Sequence, residues 1–201
     1  MVKKMVNLST KEIEQHCRTY HLSAENPPLN DKNIRYYFDE RDKLALITDL
    51  NGKPAYSEEQ INKLIFRRYS KKTVSAVIGL HQELILHLSP SSIFKVATHI
   101  GGSKSLESFI RLTQSLSAQG QSWQTFGIGI EDVVRILSHG GGSKNLEAFV
   151  SATQVLHNLG IGIEDVVRIL SHDGGSKNLD AFISATQDLH TQGQSWQTIG
   201  I

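Results

Sequence analysis

Apolar residues recur at helical spacing through most of the chain. Ile130, Val133, Val134, Ile136 and Leu137 share one face of a first predicted helix of about ten residues. Glu131 and Asp132 occupy its first turn, where negative charge suits the positive end of the helix dipole. The segment 138–142 breaks the pattern with consecutive glycines. A second helix is expected from near Ser143, with Leu146, Phe149, Val150, Thr153, Leu156 and Leu159 along one face and Gly160 as its C-cap. Neither helix can bury its apolar face alone, whereas stacked copies of the pair can.

Such copies are present. Residues 128–160 and 161–193 are identical at 27 positions and differ at six. The string IGIEDVVRILSH stands at 128–139 and 161–172, and GGSKNL at 141–146 and 174–179. A looser copy, with His99, Ile100 and GGSKSL, covers 88–127. Its period is 40 residues instead of 33, because QSWQTFG is inserted at 121–127; QSWQTIG recurs at 194–200. Trp123 and Trp196 lie in these inserts and are expected to pack on an adjacent helix.

Residues 56–87 read as a degenerate copy. Ile61, Leu64 and Ile65 mimic the first helix, Val74, Val77, Ile78, His81 and Leu84 the second, with the loop RRYSKK (Arg67–Lys72) between them. Residues 1–55, with a Pro27-Pro28 turn, the aromatic run Tyr36-Tyr37-Phe38 and an NGKP turn at 51–54, are expected to form a helical N-terminal cap. The expected fold is all-α: an α-solenoid of two-helix repeats at 88–127, 128–160 and 161–201. Ile201 is one residue into a further copy, so we expect a piece of a longer array.

Composition adds little. A hydrophobic content of 39% with 20% charged residues is that of a folded protein. No apolar run is long enough to span a membrane, and the N-terminus lacks the apolar core of a signal peptide. Cys17 is the only cysteine, which excludes an internal disulfide and a cysteine-based zinc site. Charge is uneven: residues 1–87 hold 14 Lys+Arg and 11 Asp+Glu, residues 88–201 hold 7 and 9. The acidic repeat total favours an α-solenoid that binds protein.

The loops carry the opposing chemistry. Gly101-Gly102, Gly141-Gly142 and Gly174-Gly175 permit positive φ and close backbone approach, and they lead into a helix N-terminus, an anion site. Lys104, Lys144 and Lys177 follow, placed to face the same anion. A phosphate is the natural occupant, and one phosphate per repeat describes a nucleic-acid strand. The residue before the glycines becomes the loop tip: Ile100, Gly140 or Asp173. Asp173 can accept a hydrogen bond from cytosine N4, Gly140 leaves room for a thymine methyl, and Ile100 offers apolar contact alone. His99, His139 and His172 precede the tips without variation and are expected to hold the loop, for instance through a carbonyl of the first helix.

H-[I/G/D]-G-G-S-K-x-L between two helices at a 33-residue period resembles the repeats of TAL effectors and TAL-like DNA-binding proteins. The resemblance covers 88–201, with a weaker match at 56–87. It implies a right-handed superhelix on double-stranded DNA, reading one base per repeat in the major groove. His99, His139 and His172 would stabilise the loops, while Ile100, Gly140 and Asp173 would meet adenine, thymine and cytosine. It further implies phosphate contacts from Gly101, Gly102, Lys104, Gly141, Gly142, Lys144, Gly174, Gly175 and Lys177, and nonspecific ones from Arg67, Arg68, Lys71 and Lys72. The implied role is transcription regulation by a monomer, in a bacterial cytoplasm or, for an injected effector, a host nucleus.

No enzyme, metal site, cofactor or small-molecule substrate is expected. GGSK lacks the P-loop spacing and has no preceding strand. The recurrent histidines do not supply three converging zinc ligands. Ser171, His172 and Asp173 are sequence neighbours without an oxyanion site. His157 and His190, near the ends of second helices, are expected to cap carbonyls.

Overall fold

The structure, a computed structural model, describes residues 39–65, 70–172 and 174–196. The calls on the Pro27-Pro28 turn, the aromatic run at 36–38, Arg67, Arg68 and Asp173 lie outside the described residues. Among the described ones the protein is all-helical apart from an isolated antiparallel bridge between Thr48 and Pro54.

After a helical stretch at 39–45 come α1 (Glu58–Ile65), α2 (Ser70–Leu84), α3 (Pro90–Ala97), α4 (Gly102–Ala118), α5 (Ile130–Leu137), α6 (Gly142–Asn158), α7 (Ile163–Leu170) and α8 (Gly175–Thr191). Short and long helices alternate. α1, α3, α5 and α7 each have 8 residues, shorter than the ten expected, and α4, α6 and α8 each have 17. Each short helix packs on the long helix that follows it. Long helices also pack on the next long helix, and short helices on the next short one. The degenerate pair follows the same plan: α1 and α2 begin 32 residues before α3 and α4.

One continuous core follows from this packing. Ile93, Val96, Leu106, Phe109, Val133, Ile136, Leu137, Leu146, Phe149, Val166, Leu170 and Leu179 are all buried. They are the apolar positions of the helical pattern, and their burial is the main gain from stacking.

The helix ends explain the sharp boundaries. Ser89 caps α3, its Oγ accepting from the Ser92 amide at 3.1 Å, with Pro90 in the first turn. α4, α6 and α8 end alike. Gly120, Gly160 and Gly193 have φ near +67°, at 68°, 66° and 67°. The amide two residues beyond each C-cap reaches back to a last-turn carbonyl: Gln121 to Leu116, Ile161 to Leu156 and Gln194 to Leu189. This is the Schellman closure, which glycine enters without steric cost. It corrects the expectation for His157 and His190: backbone amides take these carbonyls, and both imidazoles are exposed.

His81, buried in α2, ties in the segment before α1. Its Nε2 lies 3.0 Å from the Thr48 carbonyl oxygen and must donate to it. Nδ1 therefore accepts, and the Tyr56 hydroxyl stands 3.4 Å away as donor. Burial pushes the Tyr56 phenol above its ordinary pKa, which keeps the donor protonated.

Candidate nucleic-acid interface

Each of the three glycine loops joins a short helix to a long one. The backbone is nearly superimposable: Gly101 has φ 80° and ψ 14°, Gly141 80° and 15°, Gly174 76° and 14°. This left-handed conformation costs any L-residue with a Cβ about 1–2 kcal/mol, which accounts for the first glycine.

The second glycine answers a different demand. A Cβ on Gly102 would stand 2.5 Å from the Ala97 carbonyl oxygen, on Gly175 2.7 Å from that of Leu170, and on Gly142 closer still to that of Leu137. The close approach expected of these loops is therefore to the end of their own short helix. Gly102, Gly142 and Gly175 are buried, and their amides donate to His99, His139 and His172 carbonyl oxygens at 3.0 Å each. The amides of Gly102, Gly142 and Gly175, expected to contact phosphate, are thus engaged within the turn. The Ser176 amide is engaged as well, 3.0 Å from Asn145 Oδ1. Gly101, Gly141 and Gly174, and the three lysines Lys104, Lys144 and Lys177, are exposed.

The two described tips are exposed. Ile100 is 83% exposed, whereas the other described isoleucines of the repeats are buried or partly buried. Gly140 is exposed too. Behind the tip, His139 Nδ1 stands 2.7 Å from the Arg135 carbonyl oxygen and donates to it, so the ring braces the loop on α5. The His99 and His139 rings stack, with centroids 6.4 Å apart and planes inclined by 22°. The first two loops are thus immediate neighbours despite the insert between their repeats. His172 is exposed.

Part of the acidic charge lies away from the loops. Glu131, Asp132, Glu164 and Asp165 sit at the starts of α5 and α7, and the loops follow the other ends. Eight helical residues separate the two ends by about 12 Å. Asp132 pairs with Arg135 at 3.3 Å and Asp165 with Arg168 at 2.7 Å. Lys104, Lys144 and Lys177 are exposed in the first turns of the long helices, each followed three residues later by an acidic residue, Glu107, Glu147 or Asp180. Lys71 and Lys72, at the start of α2, are exposed and line an open groove with Ser75, Gly79, Leu80 and Glu107.

The inserts do not face the loops. Residues Trp123–Phe126 form a 3₁₀ turn begun by a reciprocal cap between Ser122 and Thr125. Trp123 is buried, stacks on Phe109 with centroids 6.1 Å apart, and donates from Nε1 to Thr113 Oγ1 at 3.0 Å. Trp196 repeats this on Phe182 (5.6 Å) and Thr186 Oγ1 (2.9 Å). Both tryptophans fold back on their own long helix.

One side chain bonded to the loops was missed by sequence reasoning: Asn145, buried between the second and third repeats. Its signal was the change from GGSKSL to GGSKNL. Among the described residues no helix is long and apolar enough to cross a membrane, and no group of three or more His, Cys, Asp or Glu converges as a metal site would require. No protein-family model and no curated protein matches the chain.

Proposed function

We propose that the protein binds double-stranded DNA and reads it one base per repeat through the loop tips. In this reading the helix pairs are 33- and 40-residue repeats of a right-handed superhelical α-solenoid, with residues 1–55 as its N-terminal cap. The loops line the major groove. Gly101, Gly141, Gly174 and the lysines Lys104, Lys144 and Lys177 hold one strand's phosphates, and Ile100, Gly140 and Asp173 meet successive bases. Arg67, Arg68, Lys71 and Lys72 add sequence-independent contacts. The protein acts as a monomer and as a binding module without catalysis or cofactor, in the manner of the TAL-like repeats it resembles.

The observation that carries this reading is the 6.4 Å spacing of the stacked His99 and His139 rings behind exposed tips. A DNA strand rises about 3.4 Å per nucleotide and completes a turn in 10–10.5 base pairs. At the backbone radius this separates successive phosphates by about 7 Å. The rings behind the first two tips thus stand about as far apart as neighbouring phosphates.

Gel shifts at low salt test the reading. Lys144→Ala is expected to weaken binding to all sequences alike and to lower the salt slope by about one phosphate contact. Asp173→Gly is expected to relax a cytosine preference at one position, at a cost of about 1–3 kcal/mol, while leaving nonspecific binding intact. Unchanged base preference in Asp173→Gly would remove base reading. Absence of binding to any duplex by the folded protein would favour a protein-binding α-solenoid.

A further inference from the structure

Asn145 follows the loop lysine of the second repeat, yet it is only 2% exposed. Its amide makes three hydrogen bonds. Nδ2 donates to the Leu170 carbonyl oxygen at 2.9 Å and to that of Gly140 at 3.3 Å; Oδ1 accepts from the Ser176 amide at 3.0 Å. Leu170 is the last residue of α7 and Ser176 lies in the first turn of α8. These are helix-end groups with no partner inside their own helices. One side chain therefore grips both sides of the third loop while holding the tip residue of the second. Its Nδ2 also stands 2.9 Å from where a Cβ on Gly175 would be, which gives that glycine a second reason to lack a side chain.

The first repeat differs. Ser105 takes the corresponding place and is equally buried at 2%, but a serine side chain is one bond shorter and carries a single polar atom. Leu137 and Ser143 correspond to Leu170 and Ser176. Among the described residues no side-chain bond joins Ser105 to either of them.

We infer that Asn145 is a positioning residue that locks the third loop to the second by hydrogen bonds, whereas Ser105 gives the second loop no such lock on the first, and these two loops meet through the stacked His99 and His139 rings. The neighbouring loops are then of two kinds, a hydrogen-bonded pair and a freer one in ring contact. The consequence for base discrimination rests on the DNA reading above; the lock itself does not.

Amide hydrogen exchange on the full chain tests the lock. Ser143 and Ser176 lie in the same GGSKN string, so their intrinsic exchange rates match. The Ser176 amide is expected to exchange at least tenfold more slowly than that of Ser143. Ser105→Asn is expected to slow Ser143 by a similar factor, and Asn145→Ser to bring Ser176 up to the Ser143 rate. Equal exchange of the two amides in the unaltered protein would overturn the inference, whatever the variants do. A second arm titrates duplexes altered at one position. Asn145→Ser is expected to lose several-fold discrimination at the third-repeat base while keeping its affinity for unrelated DNA. If exchange behaves as expected and discrimination does not move, the lock stands and its part in base reading falls.

Discussion

The connection from α4 to α5 and that from α6 to α7 join equivalent helices by different routes. The first spans residues 119–129 and folds a 3₁₀ turn with Trp123 as its anchor; the second spans residues 159–162 and crosses directly. Both leave through a positive-φ glycine, Gly120 or Gly160, and both deliver the sequence IEDVVRIL into an eight-residue helix. Beyond that helix Gly141 and Gly174 differ by only 4° in φ, and the first two histidine rings still stack. Seven extra residues are absorbed at the end remote from the loops. Loop geometry is thus set by the short helix and the glycine pair, whose contacts are local, and it tolerates a change in repeat length elsewhere.

Trp123→Ala should break the longer connection most severely. It removes a buried aromatic stacked on Phe109, and urea denaturation should show a loss of about 3–5 kcal/mol. The His139 ring should keep its bond to Arg135, seen as an unchanged imidazole tautomer by NMR. Loss of that bond would mean that the two ends are coupled after all.

Gly142→Ala attacks the opposite end. The new methyl collides with the Leu137 carbonyl, which cannot rotate away because it belongs to a helix. The expected cost is about 2–3 kcal/mol, with the loop disturbed and Trp123 fluorescence unmoved.

Thr113→Val sharpens the comparison within the insert. It leaves the Trp123 Nε1 donor unpaired in a largely buried place, for about 1–2 kcal/mol. Thr186→Val does the same to Trp196, whose indole is less buried than that of Trp123, so its loss should be the smaller of the two; a larger one would contradict the burial argument. Gly160→Ala is the mildest. No atom lies within 4 Å of the added Cβ, and only the left-handed backbone is penalised, by about 1 kcal/mol.

The periodic apolar positions already marked the helices and their order, because helical spacing reports which face must be buried. Gly160 was legible as a helix stop, and His139 as a brace on a first-helix carbonyl, since both depend on residues at most a turn away. Trp123 was legible as a packing residue because an indole is costly to expose. The second glycine was misread. A Gly-Gly pair signals backbone freedom without saying which backbone comes close, and here it is the Leu137 carbonyl of the same repeat. The role of Asn145 was not legible beyond the bare change from GGSKSL to GGSKNL, because its partners Leu170 and Ser176 are 25 and 31 residues away and meet it only once repeats are stacked.

The most direct measurement is the base preference of Gly140→Asp, read by selection from a pool of randomised duplexes. The third repeat already carries Asp at the corresponding place, so the loop accommodates it. The expected result is a new cytosine preference at the position immediately beside the one set by Asp173, with every other position unchanged. A preference that does not change, or that appears anywhere other than the adjacent nucleotide, would contradict reading at one base per repeat.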